Sequence, residues 1–195
     1  MKKFLSIVFG VIMLAVCSLF IAPTVNDGSQ VSAAAAEEIV ANVNETRFLN
    51  MLNHNFVYNT DFESIDAIVN NSSLALLDLR DAENEDFIKN AYVTGFVKDM
   101  YGIEIADMSE FNAEYPQMEG YLYIIPRGYT SYEHKIVSIT ENEDGSYKVV
   151  SEVTAINHDT AGETQTAISL FVPNQESAFG YNIIYCDIMT NTSNI

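Results

Sequence analysis

The chain reads as an α+β domain, with N-terminal helices packed on a C-terminal antiparallel β-meander of four to five strands. Three observations predict this. Runs of β-branched and aromatic residues fill 120–189 and are broken by Asp- and Gly-bearing turns. Apolar residues recur at three- and four-residue steps through 37–105. No flexible linker and no internal repeat separates the two halves. A single domain over 37–195 follows, helical in 37–105 and a meander in 120–189. That length suits one proper hydrophobic core.

The first residues read differently. Lys2 and Lys3 precede an almost unbroken apolar run over 4–22, and Ser32-Ala33-Ala34-Ala35-Ala36 offers small-residue cleavage sites. This is the pattern of a secretory signal over 1–36. It implies a secreted or cell-envelope protein, with an uncleaved anchor over 4–22 as the alternative. Cys17 follows Leu14-Ala15-Val16, a stretch like a bacterial lipobox. Val16 is too large for the small residue such a site wants, so lipidation is disfavoured.

Helical expectations follow in order. The stretch 37–56 reads as a helix with apolar positions at Ile39, Val40, Val43, Phe48, Leu49, Leu52 and Phe56, and the spacing slips around Asn44-Glu45-Thr46. Thr60-Asp61-Phe62-Glu63 matches a capping box and predicts a helix carrying Phe62, Ile65, Ile68 and Val69. Asn70-Asn71-Ser72-Ser73 is expected to interrupt it. An acidic run over 81–86 precedes a helix over 87–102, where Ile88, Tyr92, Phe96 and Met100 fall at four-residue steps. Acids before a helix N-terminus favour its dipole, and no metal site is needed to explain them.

Turns and alternation define the meander. The segment 141–146 holds Asp144-Gly145 between 135–140 and 147–153, which predicts a hairpin. A second turn over 158–162 leads to 164–172, and Pro173 ends that run. The last strand spans 179–189, and 121–125 adds a possible edge strand. Tyr147, Val149, Val153 and Ala155 share one face, and Thr166, Ile168, Leu170 and Val172 continue the apolar side. In the last strand Phe179, Tyr181, Ile183 and Tyr185 alternate with Ile184, Cys186 and Ile188. A strand apolar on both faces is covered on both or presents one face to a partner.

Charge and motifs exclude several functions. The chain carries 9 basic and 27 acidic residues, a formal charge of −18. Without 1–36 there remain 7 basic and 26 acidic residues, a formal charge of −19. Nucleic acid and anionic lipid should repel it, and a basic extracellular protein should attract it. No membrane contact beyond the signal segment is expected. Cys186 is the one cysteine after the signal, so no internal disulfide forms, and its apolar neighbours mark it as a small buried hydrophobe. The usual metalloprotease, redox, nucleophile-elbow and phosphate-loop motifs are absent, and the three histidines lie far apart. A calcium loop over 140–151 fails because Thr140 and Ser151 stand where anchoring carboxylates belong. No cofactor and no metal site is expected.

Candidate binding residues gather in the sheet half. Tyr181, Tyr185 and Asp187 of the last strand, with Tyr147 and His134, are the side chains best suited to orient a ligand on a sheet face. An exported, non-enzymatic domain that binds a protein or small ligand at the cell envelope is the leading reading.

Two families are similar in layout. The hairpin over 139–149 with its Glu143-Asp144-Gly145 turn, and the closing strand Gly180-Tyr181-Asn182-Ile183-Ile184, resemble the ketosteroid-isomerase-like cone fold (the nuclear-transport-factor-two-like superfamily) in its small secreted bacterial form. The resemblance spans most of the chain after the signal and consists of topology cues. It implies that an enzyme of this kind would use Asp187 as base beside Tyr185 and Tyr181. No enzyme motif matches residue by residue, so no catalytic site is carried over. The helix-then-sheet order and Gly120-Tyr121-Leu122-Tyr123 are also similar to secreted inhibitors of cell-wall DL-endopeptidases. That resemblance implies an acidic inhibitor of a cationic cell-wall hydrolase, acting through charged and loop contacts.

Overall fold

A computed structural model describes residues 33–77, 86–125, 132–156, 162 and 164–189. Residues 1–32 of the signal segment with the lipobox-like Cys17, the acidic run before Asp86 and most of the turn over 158–162 lie outside these residues. The chain divides into two compact units, 1–40 and 41–195. The site lies in the second.

Among the described residues three α-helices precede a four-stranded antiparallel sheet. Helix α1 spans Ala33–Asn53. From residue 41 onward its buried side chains are Asn44, Phe48, Met51 and Leu52, one stripe at helical spacing. A single 3-10 turn, Asn59–Glu63, follows. Helix α2 spans Ile65–Ala75 and is capped by Ser64, whose hydroxyl accepts from the Ala67 amide at 3.3 Å. The capping-box expectation at Thr60 therefore falls one turn early, because the backbone first bends through the left-handed Asn59 (φ 52°). Asn70 to Ser73 do not interrupt α2. Ser73 donates to the Asn70 carbonyl at 2.7 Å, and burial of Ile68, Val69 and Leu74 outweighs the weak local propensity.

The predicted helix over 87–102 divides. Strand β1, Phe87–Lys89, pairs antiparallel with β2, Tyr121–Tyr123, in a sheet of their own. The rings of Phe87 and Tyr123 meet edge to face at 5.4 Å across this pair. The 121–125 stretch thus joins β1 rather than the edge of the meander. Helix α3, Asn90–Tyr101, starts three residues later than expected and buries Val93, Val97, Met100 and Tyr101. Tyr92 is left largely exposed.

Strands β3 (Tyr132–Glu141), β4 (Tyr147–Ala155), β5 (Thr164–Pro173) and β6 (Tyr181–Met189) follow in the order β3-β4-β5-β6. The predicted hairpin is present. Gly145 turns at φ 79°, Asn142 N–H donates to the Ser146 carbonyl at 2.8 Å, and Asp144 accepts from the Ser146 hydroxyl at 2.6 Å. The Ser146 hydroxyl and amide hold the Asp144 carboxyl below the usual carboxylate range.

The helix-facing side of the sheet carries Val149, Ser151 and Val153 of β4, as alternation predicts. In β5 it carries Ala167, Ser169 and Phe171, not Thr166, Ile168, Leu170 and Val172. Pairing decides this: Val149 stands opposite Ser169, and Tyr147 opposite Phe171. The small Ala167 and Ser169 fit beneath the packed helices, while the larger apolar set faces outward.

The turn between β5 and β6 docks on the end of α3. Asn182, at the start of β6, donates to the carbonyls of Lys98 (3.2 Å) and Asp99 (2.9 Å) in the last turn of the helix, where the Lys98 carbonyl also accepts from the Gly102 amide at 2.9 Å. Gly102 ends α3 at φ 70°, and a Cβ there would stand 2.9 Å from Asn182 Oδ1. Gly102→Ala is expected to cost about 1–2 kcal/mol, from left-handed strain plus displacement of Asn182. The shift in urea midpoint measures it, and an unchanged midpoint would show that Asn182 yields freely.

Candidate functional site

The five candidate residues separate into three places. Tyr147 and Tyr181 face the helices at one end of the sheet. Their rings meet edge to face at 5.8 Å, and both pack on Phe48 of α1. Tyr181 is buried and donates to Asn44 Oδ1 at 3.0 Å. The Tyr147 phenol is raised above the ordinary tyrosine value, by desolvation first and the neighbouring Tyr181 second. These two tyrosines fill space instead of lining a cavity.

Tyr185 and Asp187 lie on the opposite face. Leu170 pairs with Tyr185 but Phe171 pairs with Ile183, so Ile184 is an extra residue. This β-bulge reverses the alternation along β6. Tyr181 and Ile183 point inward before it; Cys186 and Ile188 point inward after it. Tyr185 is exposed and donates to Asp187 Oδ2 at 3.0 Å, the contact that most raises its own phenol. The expectation that Asp187, Tyr185 and Tyr181 share one face is corrected by the bulge. An Asp187 base is thereby parted from Tyr181.

His134 is the third place. It is buried on β3, with Nε2 3.1 Å from the Tyr58 hydroxyl and Nδ1 3.0 Å from Ser151 Oγ. Tyr58 donates its own proton to the Asn55 carbonyl at 2.9 Å, so its oxygen accepts from Nε2–H. Nδ1 is then the acceptor of the Ser151 hydroxyl, which assigns the tautomer from the network. Tyr101 donates to Asn55 Oδ1 at 2.9 Å, and Asn55 Nδ2 donates to the Val57 carbonyl at 2.8 Å. Beside this network Ser169 donates to Cys186 Sγ at 3.1 Å.

A serine next to an imidazole suggests nucleophilic chemistry, but burial removes it. Ser151 and Cys186 are fully buried, so no substrate reaches either. Desolvation lowers His134 to about 4, leaving it neutral and a poor base at neutral pH. Burial pushes the Cys186 thiol up to about 12, which makes it the inert hydrophobe expected. The network fastens the 55–58 segment to the sheet.

That segment forms one wall of a cleft of about 780 Å³. The 3-10 turn and the start of α2 supply Asn59, Asp61, Asp66, Asn70 and Asn71; the 110–114 turn supplies Glu110, Asn112 and Glu114; Tyr58, Ile125 and Tyr132 are also in the lining. Among the described residues four carboxylates line it, and no lysine, arginine or histidine does. Asp61 Oδ2 accepts from Asn71 Nδ2 at 3.0 Å. Asn112 donates to Asn70 Oδ1 at 3.1 Å and to the Tyr123 carbonyl at 2.8 Å, bracing the two walls. Among the described residues the two non-glycine positions with left-handed backbone are Asn59 and Asn112, and both line this cleft. Asparagine tolerates that conformation best among ordinary residues. Asn59 Oδ1 also accepts from the Ile188 amide at 2.8 Å, tying the cleft to β6.

The sequence reading missed the cleft. Asp61 is taken there as part of a cap and Asn70 to Ser73 as a helix break, while 108–118 is not singled out. Local patterns carry no sign that these three stretches meet. Among the described residues no group of three or more His, Cys, Asp or Glu side chains is placed to hold a metal ion. No helix among them is long and apolar enough to cross a membrane. No protein-family model matches the chain, and neither does a curated protein or a solved structure.

Proposed function

We propose that the chain is an exported, non-enzymatic binding domain of the cell envelope, and that its acidic cleft receives a basic segment of another protein. The cleft carries this reading: about 780 Å³ of open polar volume, lined among the described residues by Asp61, Asp66, Glu110 and Glu114 and by no cationic side chain. A lysine- or arginine-bearing segment gains Coulombic attraction there and finds amide groups to accept from and donate to. The chain's formal charge of −18 steers such a partner from a distance. The inner face of the sheet offers a small ligand little, because Phe48, Phe171, Val149 and Ile183 fill it. Inhibition of a cationic cell-wall hydrolase is the version of this proposal that the second family resemblance implies. The cone-fold resemblance contributes only the helix-then-meander layout.

An octalysine peptide is a direct probe. The quadruple variant Asp61→Asn, Asp66→Asn, Glu110→Gln, Glu114→Gln is compared with a control, Glu45→Gln, Glu133→Gln, Glu143→Gln, Glu176→Gln, which removes the same charge elsewhere. The cleft variant is expected to weaken binding on the order of tenfold or more beyond the control, with affinity falling steeply as salt rises. Equal losses in the two variants, or affinity indifferent to salt, would overturn the cleft as the binding site.

A further inference from the structure

The sheet has a second face that no helix among the described residues covers. Val150, Ile168 and Leu170 stand at its centre, and Ile184, Tyr185 and Met189 extend it along β6, with Ile184 51% and Tyr185 39% exposed. Pairing places them side by side: Val150 opposite Ile168, Leu170 opposite Tyr185, and Thr166 opposite Met189. We propose that this outer face is the interface of a homodimer, packed sheet on sheet against the same face of a second copy.

Three observations select that occupant. The first is charge. The face carries Lys135 and Lys148 among Glu133, Glu152 and Asp187, and Lys135 bridges Glu152 at 3.3 Å. It is therefore close to neutral on a chain whose formal charge is −18. A basic partner is drawn to the acidic surfaces instead, whereas a mixed-sign face lets two like copies approach and pair lysine against acid across a two-fold axis. The second is edge protection. Both outer strands are bulged, β3 at Val137 and β6 at Ile184. Bulged edges oppose strand-to-strand addition, which leaves the face itself as the route to association. The third is area. Four strands of about nine residues, spaced ~4.8 Å with ~3.4 Å per residue, project about 600 Å². Side-chain relief brings the area removed from water toward the ~800 Å² per partner of a standard interface.

This proposal stands apart from the cleft and responds oppositely to salt. Screening the repulsion between two acidic copies should strengthen the dimer, whereas it weakens binding of a cationic partner. Sedimentation equilibrium of the full chain at low and high salt tests it, with Leu170→Glu as the disrupting variant and Ile184→Glu as a second. A dimer in the native chain that tightens with salt, and is weakened at least about tenfold by either variant while the thermal transition stays put, is the expected result. Should Leu170→Glu impair folding, the more exposed Ile184→Glu carries the comparison. A monomer at all salt concentrations would overturn the proposal, because a different occupant would then cover the face. So would a dimer that both folded variants retain, since the contact would lie elsewhere.

Discussion

Phe48→Ala is expected to lower folding stability by about 3–5 kcal/mol, the largest single loss among the buried side chains considered. Phe48 is fully buried on α1, and its ring touches Phe171 (4.4 Å), Tyr181 (4.9 Å) and Tyr147 (5.4 Å) together. Its removal opens a cavity between helix and sheet and takes away three aromatic contacts at once. Neighbouring groups are poorly placed to collapse into the gap, because Tyr181 is held to Asn44 by its hydroxyl. Domains of this size have total stabilities of about 5–15 kcal/mol, so the variant should be near the threshold of unfolding at room temperature. Urea unfolding followed by tyrosine fluorescence measures the change. A loss below about 1 kcal/mol would mean that α1 is not the helix that closes this core.

Acidification is the second large effect. His134 has a folded value lowered to about 4 against an ordinary 6.5, because burial disfavours the charged imidazolium. The groups facing it are the Tyr58 hydroxyl, the Ser151 hydroxyl and, at its amide, the Asn53 side chain, none of which offers a compensating negative charge. Between pH 6.5 and 4 the unfolded chain binds a proton that the folded chain refuses. Stability therefore is complete above 6.5, falls as pH drops through this window, and levels off below 4. The shift corresponds to about 3 kcal/mol. An opposing trend is present: falling pH neutralises carboxylates and relieves the self-repulsion of a −18 chain. His134→Gln separates the two, because it keeps the repulsion and removes the titration. The native chain should lose about 3 kcal/mol more than the variant between pH 7 and pH 4. Parallel pH profiles for the two proteins would show that His134 does not titrate in this way.

Much of the fold is legible in the residues themselves. The Asp144-Gly145 hairpin, the inward set of β4 and the break at Pro173 all follow from local rules, since positive φ at glycine and a missing proline donor act within a few residues. The burial of Cys186 is legible for the same reason, from its apolar neighbours. Element boundaries fare less well where two local rules compete. Thr60 and Ser64 both qualify as caps, and only the left-handed bend at Asn59 selects Ser64. Phe87 to Lys89 fit a helical face, and only the distant Tyr121 to Tyr123 turn them into a strand. The cleft is not legible at all, because it joins the 3-10 turn and α2 to the 110–114 turn, which lies tens of residues further along the chain.

The sequence by itself determines the α+β class, the helix-then-meander order, the turn chemistry and the acidic character. These depend on periodicity, on special backbone residues and on charge count, all of which are local or additive. Tertiary structure alone decides which faces meet. One extra residue at Ile184 sends Tyr185 and Asp187 outward while Tyr181 stays inward. One pairing register places Ala167, Ser169 and Phe171 beneath the helices and leaves Ile168 and Leu170 outside. Strand side chains alternate with period two, so a single-residue slip or bulge exchanges the faces at little local cost. Packing against α1 and α3 chooses between the alternatives, and that choice sets where an acid, a tyrosine or a histidine finally stands.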